Sequence, residues 1–258
     1  MSSILLGSAL LVLVFVSVVW ILSVLAKDMS IVDIAWGLGF AALVIFQWVR
    51  WAPASPRSFL VGYLILIWGL RLAVFLAIRN LRKGEDPRYA AWRHDWGKNT
   101  WWISYFKVFL LQGALMLMIS MPLHVTTAAG KSMGSWTDFA GTLLWLGGFL
   151  FESIADWQLY RFKKDPANKG MVMDKGLWKY SRHPNYFGES LIWWGIFLVA
   201  FGAGTAYLSV IGPVLITFLL LRVSGVTLLE QRYEGNDKYA DYKRRTSAFI
   251  PRPPKRQV

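Results

Sequence analysis

The chain has 258 residues, 55% hydrophobic and only 17% charged, with a mean hydropathy of +0.41; soluble domains carry about 25% charge. The absence of cysteine excludes disulfide frameworks, thiolate zinc sites and cysteine nucleophiles, and His94, His124 and His183 are too scattered to suggest a metal centre. A net charge of +13 would suit a nucleic-acid binder, but the basic residues sit between long apolar runs. The composition is that of a multi-pass protein whose partner is the lipid bilayer, with no nucleic-acid partner expected.

An apolar helix needs about 20 residues to cross the hydrocarbon core. Seven stretches meet or approach that length: 4–26, 31–49, 59–78, 102–121, 139–160, 186–203 and 205–229. The first lacks a basic lead and a small-residue cleavage motif, which reads as a retained helix rather than a signal peptide. Pro53 and Pro56 break the second connection, Pro122 closes the fourth span, and Gly202-Ala203-Gly204 makes a tight hairpin before the last. The expected fold class is an all-α integral membrane protein, a single domain over 1–258 with seven transmembrane helices.

Lysine and arginine are partitioned between the connections. Segments 27–30, 80–100, 161–185 and 230–258 hold 21 of them, whereas the opposite side has Arg50, Arg57 and Lys131. The positive-inside bias puts the basic side in the cytosol, the N-terminus outside and the C-terminus inside. Trp48, Trp51, Trp101, Trp102 and Trp136 fall at the expected boundaries, as amphipathic rings at headgroup level should.

Seven ionisable residues interrupt the spans: Asp33, Arg71, Lys107, Glu152, Asp156, Glu189 and Arg222. A charge at a helix centre costs about 2.5–3.5 kcal/mol on insertion scales, so each is a functional candidate. Counting along the helices puts all seven in the cytosolic half. Snorkelling to the interface accounts for Lys107, but it suits short acids and deep arginines poorly. The alternative is a polar cup open to the cytosol, whose mixed charges suit a ligand bearing both phosphates and hydroxyl or amide groups.

Glu152, Asp156 and Tyr160 share a helix face at i, i+4 and i+8, with Arg161, Lys163 and Lys164 directly after. Carboxylates beside a basic cluster suit the ribose hydroxyls and phosphates of a nucleotide, although topology alone also places lysines here. In Ser181-Arg182-His183-Pro184-Asn185-Tyr186-Phe187-Gly188-Glu189, Pro184 suits the first helical position, and a helix start is a ready anion site. Asn185 and Glu189 lie one turn apart on one face, which also permits plain helix capping with an internal hydrogen bond. Residues 230–251 read as a short surface helix and tail, partly an interfacial anchor. Neither a Gly-x-Gly-x-x-Gly fingerprint nor a Walker motif occurs.

Together, Ser30-Ile31-Val32-Asp33, Leu70-Arg71-Leu72, Glu85-Asp86-Pro87-Arg88-Tyr89, the Ser181–Glu189 string and Tyr242 through Pro251 resemble the steroid 5-alpha-reductase family, in its bacterial branch. The resemblance implies seven helices, cytosolic loops forming a site for NADPH, and reduction of a carbon–carbon double bond conjugated to a ketone in a lipophilic 3-oxo-4-ene steroid. By position it makes Arg71, Arg82, Asp156, Asn185, Glu189 and Arg222 cofactor contacts, with Asp33 as a catalytic acid. Glu152, Tyr160, Lys163, Arg182, His183 and Tyr186 join the cofactor set from the local patterns above. The family's tyrosine falls on Trp68, which leaves Tyr63, about one and a half turns away, as the candidate second proton donor. A bacterial inner membrane is the implied location.

The Arg-His-Pro-x-Tyr-x-Gly-Glu core is also similar to membrane methyltransferases that use S-adenosylmethionine, and a transporter or receptor is a third reading. The basic loops favour the reductase, because NADPH carries a 2′-phosphate and a pyrophosphate whereas S-adenosylmethionine carries no phosphate. No metal is expected.

Overall fold

The structure, a computed structural model, describes residues 1–53, 55–80, 84–129, 133–203, 206–223, 225–231 and 233–255. Among these residues the architecture is helical, without β-strands; a lone parallel bridge joins Ser181 and Ser247. The chain divides into two compact units, Met1–Asp138 with Val199–Gly212, and Phe139–Leu198 with Pro213–Val258.

Among the described residues, five helical stretches are long and apolar enough to cross a membrane: Ser2–Ala26, Ile31–Trp51, Pro56–Asn80, Pro87–Ile119 and Tyr207–Gln231. The other two expected spans fall on helices at Trp136–Lys164 and Pro184–Phe201. Glu152 and Asp156 in the first, and Asn185 and Glu189 in the second, dilute their apolar character. The two helices that fall short are thus those carrying Glu152, Asp156, Asn185 and Glu189, as the cost of intramembrane charge would require.

The first unit is built on α1 (Ser2–Ala26), α2 (Ile31–Trp51) and α3 (Pro56–Asn80). α1 is apolar all round, yet its buried residues, Ile4, Ser8, Val12, Val16, Val19 and Ser23, form one stripe. It stops where Lys27 turns left-handed at φ 54° and its N–H reaches back to Ser23 and Val24, the usual αL exit. α2 and α3 approach most closely at Gly37 and Gly69. A Cβ at Gly69 would stand 2.6 Å from the Gly37 carbonyl oxygen, and one at Gly37 would collide with that of Gly69. Such small-residue contacts let helix backbones approach without a hydrophobic driving force between them. Phe40, Leu43, Val44, Val61, Ile65 and Trp68 fill the same interface, with Phe40 edge-on to Trp68 at 5.4 Å.

The fourth stretch runs through α4 (Pro87–Trp96), α5 (Thr100–Ser104), a π-helical segment at Tyr105–Leu110 and α6 (Leu111–Ile119). After the turn at Ser120 comes α7 (Met121–Ala129), with Pro122 in its first turn. Lys107 occupies the π segment, and a second π segment, Leu219–Val223, carries Arg222. Single π turns interrupt helices mostly at functional or strained positions.

Among the described residues of this unit, two polar clusters are buried. Gln47 of α2 donates to Ser8 Oγ at 3.1 Å, accepts from Thr127 Oγ1 at 2.8 Å and meets His124 Nδ1 at 2.6 Å, while His124 Nε2 meets Ser120 Oγ at 2.9 Å. Arg57 donates through Nε and Nη2 to Asp138, each at 2.8 Å, and through Nη1 to the Gly202 carbonyl at 2.7 Å. Asp138 also accepts from the Gly134 and Ser135 amides at 3.0 and 2.9 Å. Arg57, expected to be a loop charge, is a buried structural ion pair.

The second unit contains α8 (Trp136–Lys164) beyond residue 138, α9 (Pro184–Phe201) up to residue 198, and α10 (Ile211–Phe218) from Pro213 on, followed by α11 (Val226–Gln231) and α12 (Asp237–Arg245). Glycines again set the closest approach. A Cβ at Gly148 would lie 2.7 Å from the Gly188 carbonyl oxygen, at Gly188 2.6 Å from the Glu152 nitrogen, and at Gly195 2.6 Å from the Trp145 nitrogen. α12 starts at Asn236, whose side chain accepts from the Tyr239 amide at 3.1 Å, and buries Tyr239 and Tyr242.

Candidate functional site

In the second unit the start of α9 is bound to the C-terminal tail. The Arg182 amide donates to the Ser247 carbonyl at 2.8 Å, the Arg252 amide to Tyr180 at 3.0 Å, and Ser181 Oγ to Phe249 at 2.8 Å. Tyr242 donates its hydroxyl to the Trp178 carbonyl at 2.5 Å. Burial first, then the neighbouring Tyr239, pushes the Tyr242 phenol up from its ordinary pKa, so it stays a neutral donor.

Arg182 is consumed by this clamp. Its Nε and Nη2 donate to Glu230 Oε1 at 2.8 and 2.6 Å, and its Nη1 to the carbonyls of Thr246 and Lys243 at 2.5 and 3.1 Å. Lys243 Nζ reaches Glu230 Oε2 at 3.1 Å, His183 Nε2 faces Glu230 Oε1 at 3.5 Å, and the His183 ring stacks on Tyr186 with centroids 5.5 Å apart. Arg182 and His183, assigned to the cofactor from the sequence, point into an internal ion-pair cluster. Glu230 is the residue that sequence reasoning missed here. Its only signal was a carboxylate 48 residues downstream of an unexplained arginine.

The face of α9 that carries Asn185 is different. Asn185 donates to Asp156 Oδ1 at 3.1 Å, and Gly188 brings the α9 backbone against Glu152. The Glu152/Asp156 face of α8 therefore meets the Asn185/Glu189 face of α9. Glu152 and Asp156 are buried, whereas Asn185, Glu189 and Tyr160 are partly open and Lys163 and Arg222 exposed. Tyr160 stacks on Trp157 at 5.9 Å. Carboxylates accept, amide and ammonium groups donate, so this donor set fits the hydroxyls, carboxamide and phosphates of a dinucleotide. Arg82 lies outside the described residues.

The first unit has its own polar corner. Ser30–Asp33 and Glu85–Tyr89, more than fifty residues apart, are joined there. Tyr89 donates its hydroxyl to Asp33 Oδ1 at 2.7 Å, and Arg88 Nη2 stands 3.3 Å from Asp33 Oδ2. Asp86 caps α4, accepting from the Arg88 amide at 2.9 Å, while its own amide donates to Ser30 Oγ at 2.8 Å. Ser30 Oγ in turn donates to Asp28 at 2.5 Å. Glu85 accepts from the Met29 amide at 2.7 Å and from Arg93 at 2.8 and 3.0 Å.

Asp33 thus has a phenol partner, but it is Tyr89 rather than Tyr63. Tyr63 packs on Trp48 at 4.9 Å and is 51% exposed. Trp48 lies fifteen residues along α2 from Asp33, about 22 Å at helical rise. Because α3 runs back along α2 past Gly37 and Gly69, the start of α3 is level with the far end of α2. Arg71, also in this unit, lies over the Phe75 ring at 5.5 Å.

Burial would raise the Glu85 carboxyl pKa, but the Arg93 side chain and the Met29 amide lower it more, and the net shift is downward. A depressed carboxyl contributes stability above the unfolded-state value of about 4.3 that is lost as pH falls through the folded value. Amide exchange at Met29 should therefore accelerate below about pH 4, and Glu85→Gln should remove that pH dependence.

A family model described as "Protein of unknown function (DUF1295)" matches residues 19–246. An uncharacterized protein of Schizosaccharomyces pombe is 29% identical over 220 residues, 72% of this chain and 61% of the relative. The chain thus spans about three fifths of that relative's length. No solved structure matches. The matched family includes steroid 5-alpha-reductase-like proteins, and the match covers most of the chain, including both polar corners. The chain belongs to the DUF1295 family.

Proposed function

We propose that the protein is an NADPH-dependent membrane reductase that saturates the carbon–carbon double bond of a lipophilic, steroid-like enone. The observation that carries this reading is the Tyr89–Asp33–Arg88 cluster at the head of α2. When bound, NADPH supplies the hydride. Addition at the β carbon leaves negative charge on the ketone oxygen, which needs a hydrogen-bond donor in a water-poor setting. Asp33, already accepting from a phenol and a guanidinium, is an orienting carboxylate, and Tyr89 would turn its hydroxyl from Asp33 to donate to the ketone oxygen, with a solvent proton completing the α carbon. Asn185, Asp156, Glu152 and Glu189, with Tyr160, Lys163 and Arg222, are the residues of the second unit that would hold the cofactor. Its phosphates would be met by the exposed cations and by the amides at the head of α9.

The membrane arrangement proposed with it has seven crossings, α8 and α9 included, with the N-terminus outside and the C-terminus in the cytosol of a bacterial inner membrane. Because the chain has no cysteine, single replacements report topology cleanly. A cysteine at Trp136 should react with an impermeant maleimide on intact cells and one at Lys169 should not; the reverse pattern would overturn this orientation.

The test of function is purification in detergent, mass spectrometry of retained nucleotide, and assay with NADPH and a 3-oxo-4-ene steroid. A product heavier by two hydrogens, with NADPH preferred over NADH, is the expected result. A product heavier by one methyl, formed only with S-adenosylmethionine, would instead establish the methyltransferase reading.

A further inference from the structure

Near the corner that holds Asp33, the first unit contains a cavity of about 180 Å³ bordered by Ser23, Met29, Arg93, Lys98, Thr100 and Trp101. That is far above the roughly 10–15 Å³ that holds one water, enough for a phosphate with its glycerol linkage. Its cations are unequally committed. Arg93 gives Nε and Nη2 to Glu85, which leaves Nη1. Lys98 is exposed and has no ion pair among the described residues. The hydroxyls of Thr100 and Ser104 donate to backbone carbonyls, so the attraction for an anion rests on Lys98 and the remaining face of Arg93.

The surroundings are those of a membrane boundary. α1 ends just beyond the cavity at Lys27. The flanking Leu22, Leu25 and Trp101 are exposed apolar side chains, and the Trp20 indole donates to the Trp101 carbonyl at 2.7 Å. A soluble anion would use the cations alone. An amphiphile with an anionic head and an acyl chain would use the cations and the exposed apolar strip together.

We propose that this cavity seats the phosphate of an anionic membrane phospholipid, with Lys98 as its principal cation and the acyl chains against the outer face of α1. Glu85 links Arg93 to the Met29 amide at the head of α2, so an occupied seat braces the loop leading to Asp33. The inference is independent of the reductase reading, because its readout is lipid binding.

Delipidated protein in an uncharged detergent would be titrated with dioctanoyl phosphatidylglycerol, dioctanoyl phosphatidylcholine and inorganic phosphate, with adducts read by native mass spectrometry. Phosphatidylglycerol should bind most tightly, and Lys98→Gln should weaken it about fivefold, the effect of one basic residue near an anionic headgroup. Lys175→Gln, an exposed lysine in the other unit, should leave binding unchanged. Equal weakening by both variants would mean diffuse attraction and overturn the seat. Inorganic phosphate binding as tightly as the lipid would identify a soluble anion, and equal binding of phosphatidylcholine would remove the anionic selectivity; either result defeats the proposal.

Discussion

Replacing Asp33 with Asn is expected to slow enone reduction about 10²–10⁴-fold, the usual cost of losing one acid–base group, while leaving NADPH binding intact. The carboxylate accepts the Tyr89 hydroxyl at 2.7 Å and faces Arg88 at 3.3 Å. Asparagine keeps the shape but loses the charge that orients both partners. Tyr89→Phe should fall in the same range, because it removes the proton to be offered, whereas Tyr63→Phe should turn over normally. Glu189→Gln should raise the Kd for NADPH, since Glu189 lies on the α9 face that meets Glu152 and Asp156. Equilibrium titration of the cofactor and single-turnover absorbance on monodisperse protein separate these effects. Normal turnover of Asp33→Asn at saturating NADPH would remove Asp33 and Tyr89 from the mechanism. Equal damage from Tyr63→Phe would return the exposed tyrosine to it.

Asp138→Asn is expected to destabilise the protein by about 3–5 kcal/mol, the range for leaving one partner of a buried ion pair uncompensated. Arg57 is 2% exposed and Asp138 5%, so water cannot replace the lost carboxylate. Thermal unfolding in detergent should show a fall of about 10 °C, at roughly 2–4 °C per kcal/mol for a chain of this size. The double change Arg57→Leu with Asp138→Leu should recover part of the loss, because it removes both charges. Recovery should be incomplete, since the Gly134 and Ser135 amides lose their acceptor. An Asp138→Asn protein that melts with wild type would show that the pair contributes nothing net.

The sequence by itself determined the solvent of this protein and its helical class. Apolar length and charge composition are properties of the linear chain, and five of the seven expected spans meet that measure. It also marked Asp33, Asp156, Asn185 and Glu189, because a charge or amide within an apolar helix stands out wherever it ends up. Partnership was beyond it. α1 is apolar on every side, so no pattern in it told the buried stripe of Ile4, Val12 and Val19 from the exposed face; only the helices packed against it decide that. Arg182 was a cofactor candidate in the sequence, but Glu230, 48 residues away, takes two of its nitrogens. Tyr63 was nearer the family's tyrosine position in sequence, yet Tyr89 reaches Asp33, because α3 runs back along α2 and Asp86 binds Ser30, which sets the start of α4 beside the head of α2. Contacts between segments so far apart depend on how the helices cross, and in this chain the crossings are set by a few glycines, Gly37 against Gly69 and Gly148 against Gly188, where the lack of a side chain lets two backbones touch.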